Sequence, residues 1–286
     1  MEIYFSFQAA LCFSVAHILI RRGLAESNAM TGSFISLSMS ALVLWGLAPF
    51  LGSLRALWTP AVLIFIAAGI LAPGIGRTLS YVGIEKIGVA RSVPIANSSP
   101  IFASVFAVFF LGETWVLQNM VGTLLVISGV VILSMARPAQ GKWRKLDIIY
   151  PVVGAMAFGG SAILRKAGLG FVDSPVLAAA ATAGAAAIFS FTLLQIQGGT
   201  VAFKLTRRSA AWLFSAGFIN TAAMLSVFYA LSHGKVVIVE PLVSSNPVLT
   251  LLLTAIFLRD VEVLSLRVIV GALLTVAGTI LVVTAR

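Results

Sequence analysis

Charge is the first thing this sequence is short of. Of its 286 residues, 10% are Asp, Glu, Lys or Arg while 60% are apolar, and the mean hydropathy is +1.08. A soluble domain carries about 25% charged residues to cover its surface, so most of this chain must face lipid or pack on itself. Metal-binding side chains are scarce as well, with 2 His and 1 Cys. Metal sites need three or four such ligands, so no metal or other cofactor is expected. Cys12 has no second cysteine to pair with, which rules out an internal disulfide. Acids number 9 against 19 bases, for a formal net charge of +10. In a soluble protein that balance would suggest nucleic acid. Here the bases collect between apolar runs, where they anchor helix ends and set orientation, so no nucleic-acid partner is expected. The N-terminus opens on Glu2, and Arg21 and Arg22 follow the first apolar run. That is the wrong polarity for a cleavable signal peptide, and the first helix is expected to be retained.

What the chain has in abundance is long apolar runs. Crossing a hydrocarbon core about 30 Å thick takes about 20 residues of helix. Length, apolarity and flanking charge predict helices near 4–22, 30–51, 60–82, 88–111 and 114–136, then 147–168, 174–197, 209–231, 235–258 and 263–284. The expected fold class is therefore an all-α integral membrane protein of ten transmembrane helices. Its longest polar stretch, Arg137 to Asp147, divides it near the middle into 1–137 and 147–286.

The two parts repeat one another. Pro94-Ile-Ala-Asn-Ser-Ser-Pro100 in the fourth run matches Pro241-Leu-Val-Ser-Ser-Asn-Pro247 in the ninth, each preceded by an aromatic position, Tyr81 or Phe228-Tyr229. Each runs on into an acidic stop, Leu111-Gly-Glu113 or Leu258-Arg-Asp260. Gly122 aligns with Gly271, Gly129 with Gly278, and Ile20-Arg21-Arg22 with Leu164-Arg165-Lys166. Five helices is an odd number, so the second copy enters the membrane from the opposite side. Inverted five-helix repeats place a pseudo-twofold axis in the membrane plane and let two near-equivalent packings open a central site to either side in turn. With the N-terminus on one side, the other side collects Arg21, Arg22, Lys86, Arg137, Lys142, Arg144, Lys145, Lys204, Arg207, Arg208 and Arg259, against Arg55, Arg165, Lys166, Lys235 and Arg286. The positive-inside rule then puts both termini outside the cytoplasm.

The run Gly76-Arg77…Tyr81-Val-Gly-Ile…Ile87-Gly-Val-Ala-Arg91-Ser…Pro94…Pro100…Leu111-Gly-Glu113 resembles the EamA branch of the drug/metabolite transporter superfamily, and the second copy, from Phe228 through Asp260 to Gly278, is similar to it. The resemblance covers nearly the whole chain as two EamA repeats. It implies a ten-helix, metal-free carrier of small metabolites such as amino acids across the bacterial cytoplasmic (inner) membrane, often outward. Two positions depart from the pattern. Arg259-Asp260 stands where the first half has Gly112-Glu113, and the first helix offers His17 where small multidrug relatives use a coupling glutamate.

Ionisable groups inside a membrane are costly and become candidates by default. Arg77, about a turn and a half from the end of the third run, either snorkels to the interface or grips an anionic substrate group through its planar fork. Arg91, in the first turn of the fourth run, is either an anchor or a cavity group. Glu240 lies deeper than any other acid. It suits proton coupling or an amine, or else it pairs structurally with Arg77, Arg91 or Lys235. His17 is either packing or a substrate contact, and His233 is expected to be solvated. Pro94, Pro100, Pro241 and Pro247 interrupt their helices, and broken backbone is tolerated in a bilayer where it lines a cavity. Asn97, Ser98, Ser99, Ser244, Ser245 and Asn246 lie between those prolines and are candidate substrate-binding groups, together with Tyr81. The alternative for them is hydrogen bonding between helices. Gly122, Gly129, Gly271 and Gly278 read as packing, including dimer contacts, and Ala178–Ala187 as a close-packed face.

The resulting expectation is a secondary transporter of a small solute, an amino acid or related compound. It works by alternating access around a cavity lined by helices 1, 3, 4, 6, 8 and 9, as a monomer or homodimer. The competing classes are a non-transporting receptor or assembly factor and a lipid-modifying enzyme. The sequence has no His-Glu-x-x-His, Gly-x-Ser-x-Gly or acidic metal cluster to support an enzyme.

Overall fold

The computed structural model describes residues 1–51, 58–87, 92, 95–134, 144–196, 203–257 and 266–285, and these are helical without a strand. In the first half α1 is Glu2–Gly23, α2 Ala29–Leu51, α3 Ala61–Gly69, α4 Arg77–Ile87, α5 Ser99–Leu111 and α6 Leu117–Ser134. In the second half α7 is Ile149–Leu169, α8 Pro175–Ile196, α9 Arg207–His233, α10 Val236–Val243, α11 Asn246–Phe257 and α12 Leu266–Thr284. Among the described residues, 6 helical stretches are long and apolar enough to cross a membrane, and shorter apolar helices accompany them. Their outward faces carry Leu63, Phe109, Phe110, Ile188, Phe218 and Leu273, all more than half exposed. So much apolar surface would drive association in water, and it makes this a multi-pass membrane protein.

Three of the expected helices are interrupted, those over 60–82, 88–111 and 235–258. The run expected as one helix over 60–82 is α3, then a π-helical turn over Ile70–Gly76, then α4. Pro73 sits inside that turn, and the Arg77 N–H reaches back to the Ala72 carbonyl, the five-residue step of a π-helix. Because α4 then continues to Ile87, Arg77 opens it and stands well inside the chain's third pass, not a turn and a half from its end. The run over 235–258 is likewise two helices, α10 and α11.

Side by side, the breaks before α5 and α11 have the same wiring. Ser98 N–H donates to the Ile95 carbonyl (3.0 Å) and Ile101 N–H to the Ser98 carbonyl (3.0 Å). At the matching places Ser245 N–H donates to Leu242 (3.2 Å) and Val248 N–H to Ser245 (3.1 Å). The hydroxyls repeat as well, Ser98 to the Ile95 carbonyl at 2.6 Å and Ser245 to the Leu242 carbonyl at 2.7 Å. Pro247 removes the N–H that would have met the Val243 carbonyl, and the Asn246 side-chain amide donates there instead (3.0 Å).

The helix contacts map onto themselves when the halves are exchanged. α1 packs along α9 as α7 packs along α3, the π turn and α4. α5 lies against α7 as α10 and α11 lie against α1. α2 pairs with α8, and α6 pairs with α12. The alanines of α8 permit the first of these self-pairings. Ala178 to Ala181 and Ala183 are at most 4% exposed, packed on Leu44, Ala48, Phe65 and Phe228. The α6–α12 pair rests on glycines. A methyl on Gly122 would meet the Gly278 carbonyl at 2.9 Å, and one on Gly129 the Gly271 carbonyl at 2.5 Å. These glycines thus serve contact within one chain, and the expected dimer role is not needed to explain them.

The acidic stop after α5 also has a structural task. Gly112 takes the left-handed cap conformation, φ 64°, which glycine adopts without a Cβ clash. That turn aims Glu113 at the start of α10, where its carboxylate oxygens accept from the N–H groups of Val236 (2.9 Å) and Val237 (3.1 Å). Losing a helix N-terminal acceptor costs about 1–2 kcal/mol. Glu113→Ala should therefore lower the unfolding midpoint in detergent measurably, and Glu113→Gln, which keeps one acceptor oxygen, should lower it less. Equal midpoints for all three proteins would show that this tie carries no stability.

Candidate functional site

Side chains from both halves converge on the interior. On α1, Ser14 and His17 follow Phe13 within a helical turn or so. The Ser14 hydroxyl lies between the Ala10 carbonyl (2.7 Å) and the Asn246 carbonyl (2.8 Å), which ties α1 to the break before α11. The His17 ring stacks on Phe13, with centroids 6.4 Å apart and planes 19° off parallel. Its side chain is exposed although it sits deep among protein atoms. An open space inside the helix bundle next to His17 accounts for both.

Arg77 stands beside that space, close enough for its charge to act on His17. Its Nη1 donates to the Ser33 hydroxyl on α2 at 2.6 Å. No carboxylate pairs with it among the described residues, where the one ion pair is Arg208–Glu26 at the surface (3.6 Å). The π turn preceding it rotates α4 relative to α3 and so sets where this guanidinium points. π turns recur at functional positions for that reason.

A second pair of charges lies nearer the end where α9 finishes and α10 begins. On α7 the Ser161 hydroxyl donates to the Ala68 carbonyl (2.8 Å) and accepts from Arg165 Nε and Nη2 (3.1 and 3.0 Å). The Arg165 guanidinium sits 6.0 Å from the centre of the Phe228 ring, a separation at which a cation is still attracted to the ring face. Glu240 on α10 is the acid whose charge Arg165 feels. They interact without direct contact, and the Glu240 carboxylate has no hydrogen-bond partner among the described residues. Two of the expected partners of Glu240 are engaged elsewhere. Lys235 donates to the Thr114 hydroxyl at 2.8 Å, Arg77 is held by Ser33, and Arg91 lies outside the described residues.

Arg165 is thus the group that sequence reasoning does not single out, since within the expected helix 147–168 it counts only among the charges that set orientation. α7 runs on to Leu169, so Arg165 and Lys166 are both inside the helix. Lys166 donates to the Leu231 and Gly234 carbonyls (2.7 and 2.8 Å), closing the C-terminal end of α9. One signal was available: Ser161 and Arg165 are four apart, which puts them on one helix face.

The remaining candidates divide. Ser98, Ser245 and Asn246 direct their side chains to backbone carbonyls of their own breaks. Asn97, Ser99 and Ser244 are half-buried there and make no side-chain hydrogen bond among the described residues. Pro100 is buried at the start of α5, Pro241 is buried within α10 and Pro247 opens α11. Pro94 lies outside the described residues, as does the side chain of Tyr81, whose backbone is in α4. The exposed His233 ends α9, with Nδ1 2.8 Å from the Tyr229 carbonyl.

In formal charge, Arg77 and Arg165 against Glu240 leave one excess positive charge among the described interior residues. An isolated charge in a dry interior costs several kcal/mol, so the excess belongs to a hydrated or ligand-filled space. Groups so placed can hold an anion at two successive levels and an amine at one.

Comparison with known proteins agrees with this architecture. Residues 1–135 and 146–284 match the EamA-like transporter family. An uncharacterized protein of Methanocaldococcus jannaschii is 41% identical over 62 residues, 22% of this chain and 45% of that protein. The match thus spans about half the length of that relative. A crystal structure of a protein 17% identical in sequence superposes with a TM-score of 0.81 over 99% of this chain and 98% of the other. At that identity the likeness establishes the fold alone.

Proposed function

The chain belongs to the EamA-like transporter family, within the drug/metabolite transporter superfamily, and from that membership we propose that it is a secondary transporter exporting an amino acid or related organic solute by alternating access. The two repeats, 1–137 and 147–286, are read as inverted five-helix units, ten transmembrane helices in all, in a bacterial inner membrane. The observation that carries this reading is the exposed His17 side chain inside the bundle, next to an Arg77 without an acidic partner among the described residues. A carrier needs such an interior space, polar and charged, between elements that can exchange two packings. The matching breaks before α5 and α11 supply equivalent joints in the two halves.

In this reading the substrate's carboxylate meets Arg77 from one side and Arg165 from the other, while Glu240 receives its amine. Asn97, Ser99 and Ser244 offer uncharged hydrogen bonds at the breaks. A free amino acid satisfies all of these groups with no net charge of its own. Glu240 also serves as the proton-coupling group, because an acid without a hydrogen-bond partner among the described residues can take up and release a proton as the site changes sides.

Counterflow in proteoliposomes tests transport directly. Vesicles preloaded with unlabelled amino acids or organic anions should accumulate the labelled compound of the transported class, saturably and only with the protein present. Silence across both classes, with folded protein inserted, would overturn the reading. Glu240→Gln should retain counterflow exchange, which needs no net proton movement, at a higher half-saturating substrate concentration, because the amine loses its charged partner, and should lose the pH dependence of net flux. Full net transport with an unchanged pH profile would remove Glu240 from coupling.

A further inference from the structure

A second recess, away from the central groups, lies where α1 begins, α9 ends, α10 begins and α12 ends, near the start of α6. Its volume is about 860 Å³, and Glu2, Thr114, Asn119, Lys166, His233 and Lys235 are among the residues that line it. Asn119 is 3% exposed, and its carboxamide oxygen is buried without a partner. Burying an amide oxygen with nothing to accept from costs about 1–3 kcal/mol, a cost relieved when the Asn119 side chain, which lines the recess, turns toward a donor held there. His233 points the same way. A carbonyl can only accept, so the contact of Nδ1 with the Tyr229 carbonyl, beside the Ser232 hydroxyl at 2.9 Å, makes Nδ1 a donor and leaves Nε2 an acceptor in the tautomer protonated there. The Glu2 carboxylate is a third acceptor. Against these stand two ammonium groups, Lys235, which spends one donor on Thr114, and Lys166, which spends two on the Leu231 and Gly234 carbonyls. With Glu2 the lining carries one excess positive charge.

We infer that this recess binds a phosphodiester that bears hydroxyl or ammonium hydrogens, the chemistry of a glycerol or ethanolamine phospholipid headgroup. The phosphate takes the ammonium groups of Lys235 and Lys166, and the headgroup hydrogens supply Asn119, His233 and Glu2. The position favours a lipid as the source. The recess sits at the ends of membrane-crossing helices, its wall includes apolar Val116, Ile238 and Val283, and the exposed Leu117 and Met120 continue from it along α6. A headgroup there leaves its acyl chains against the outer apolar surface. The inference does not rest on the transport reading, and its readout involves no transport.

Purified protein in detergent would be titrated with phosphatidylglycerol, phosphatidylethanolamine, phosphatidylcholine and soluble glycerophosphoglycerol, with bound lipid counted by native mass spectrometry. The first two should be retained at concentrations about tenfold lower than phosphatidylcholine, whose quaternary ammonium has no hydrogen to give. Lys235→Ala, at an exposed side chain, should weaken retention of phosphatidylglycerol about tenfold without affecting folding, and Asn119→Leu should bring the three lipids level. Equal retention of all three by the unaltered protein, or retention indifferent to Lys235→Ala, would overturn the proposal. Displacement of phosphatidylglycerol by glycerophosphoglycerol at equal concentration would keep the phosphodiester site and overturn the lipid as its source.

Discussion

Arg165→Met is expected to destabilise the protein by about 2–3 kcal/mol and to stop transport, and adding Glu240→Gln should restore most of the stability and none of the transport. Breaking a buried ion pair by removing one partner costs about 3–5 kcal/mol, because the survivor is left charged and uncompensated. The value here is lower because Arg165 and Glu240 interact without contact and are both half-buried beside the interior space. Methionine keeps much of the arginine stem's volume while giving up the guanidinium's place over Phe228, so the loss is mainly electrostatic. It includes the two donations to the Ser161 hydroxyl, which retains its own bond to the Ala68 carbonyl. Neutralising Glu240 as well removes the orphaned charge. Single and double variants should therefore be non-additive by 1 kcal/mol or more in a thermal or denaturant cycle. Additive losses would mean that the two charges do not sense each other. Recovered stability with recovered flux would mean that the pair is structural only and that the substrate is held elsewhere.

How far the chain could be read without its structure depended on the scale of the signal. Apolar runs, their spacing and the repeat around Pro94–Pro100 and Pro241–Pro247 extend over tens of residues, and burial in lipid imposes them whatever the details of packing. The exchange symmetry of the helix contacts was legible in the same way, since aligned segments must pack alike. What escaped turns on single residues. Arg165 falls inside the expected helix 147–168, but a charge within an apolar run's last turn reads as an end anchor, and only its contacts with Ser161 and Phe228 mark it as an interior group. The π turn over Ile70–Gly76 inserts no distinctive residue, and Pro73 alone marks it. It moved Arg77 from a helix end to the start of α4. Glu113 was read as a stop signal, and its bonds to Val236 and Val237 depend on a contact between residues 123 and 124 positions apart. Of the polar residues at the breaks, sequence could say that they face something polar. It could not say that Ser98, Ser245 and Asn246 would direct their side chains to their own backbone.

The glycines of α6 and α12 lead to the second large effect: Gly129→Val should leave little folded protein, while Gly46→Ala should be neutral or stabilising. A helical glycine replaced by alanine ordinarily gains up to about 1 kcal/mol in propensity. Gly46 on α2 has nothing within 4 Å of the methyl it would acquire, so that gain is expected in full. At Gly129 the same methyl would overlap the Thr275 hydroxyl and stand 2.5 Å from the Gly271 carbonyl oxygen and 2.6 Å from the Thr275 nitrogen. Two of those atoms are backbone, so relief requires α12 to move away along its length. That separation would also undo the matching contact at Gly278, where a methyl would lie 2.5 Å from the Gly122 carbonyl. Overpacking a tight core costs about 1–3 kcal/mol per site and occasionally more, and valine adds branching against the preceding turn. Gly129→Ala should thus be the intermediate case, with a lowered midpoint. Heating followed by fluorescence-detected gel filtration orders the variants. A folded, monomeric Gly129→Val would show that the α6–α12 pair is not formed within one chain, and would move that contact to an interface between two.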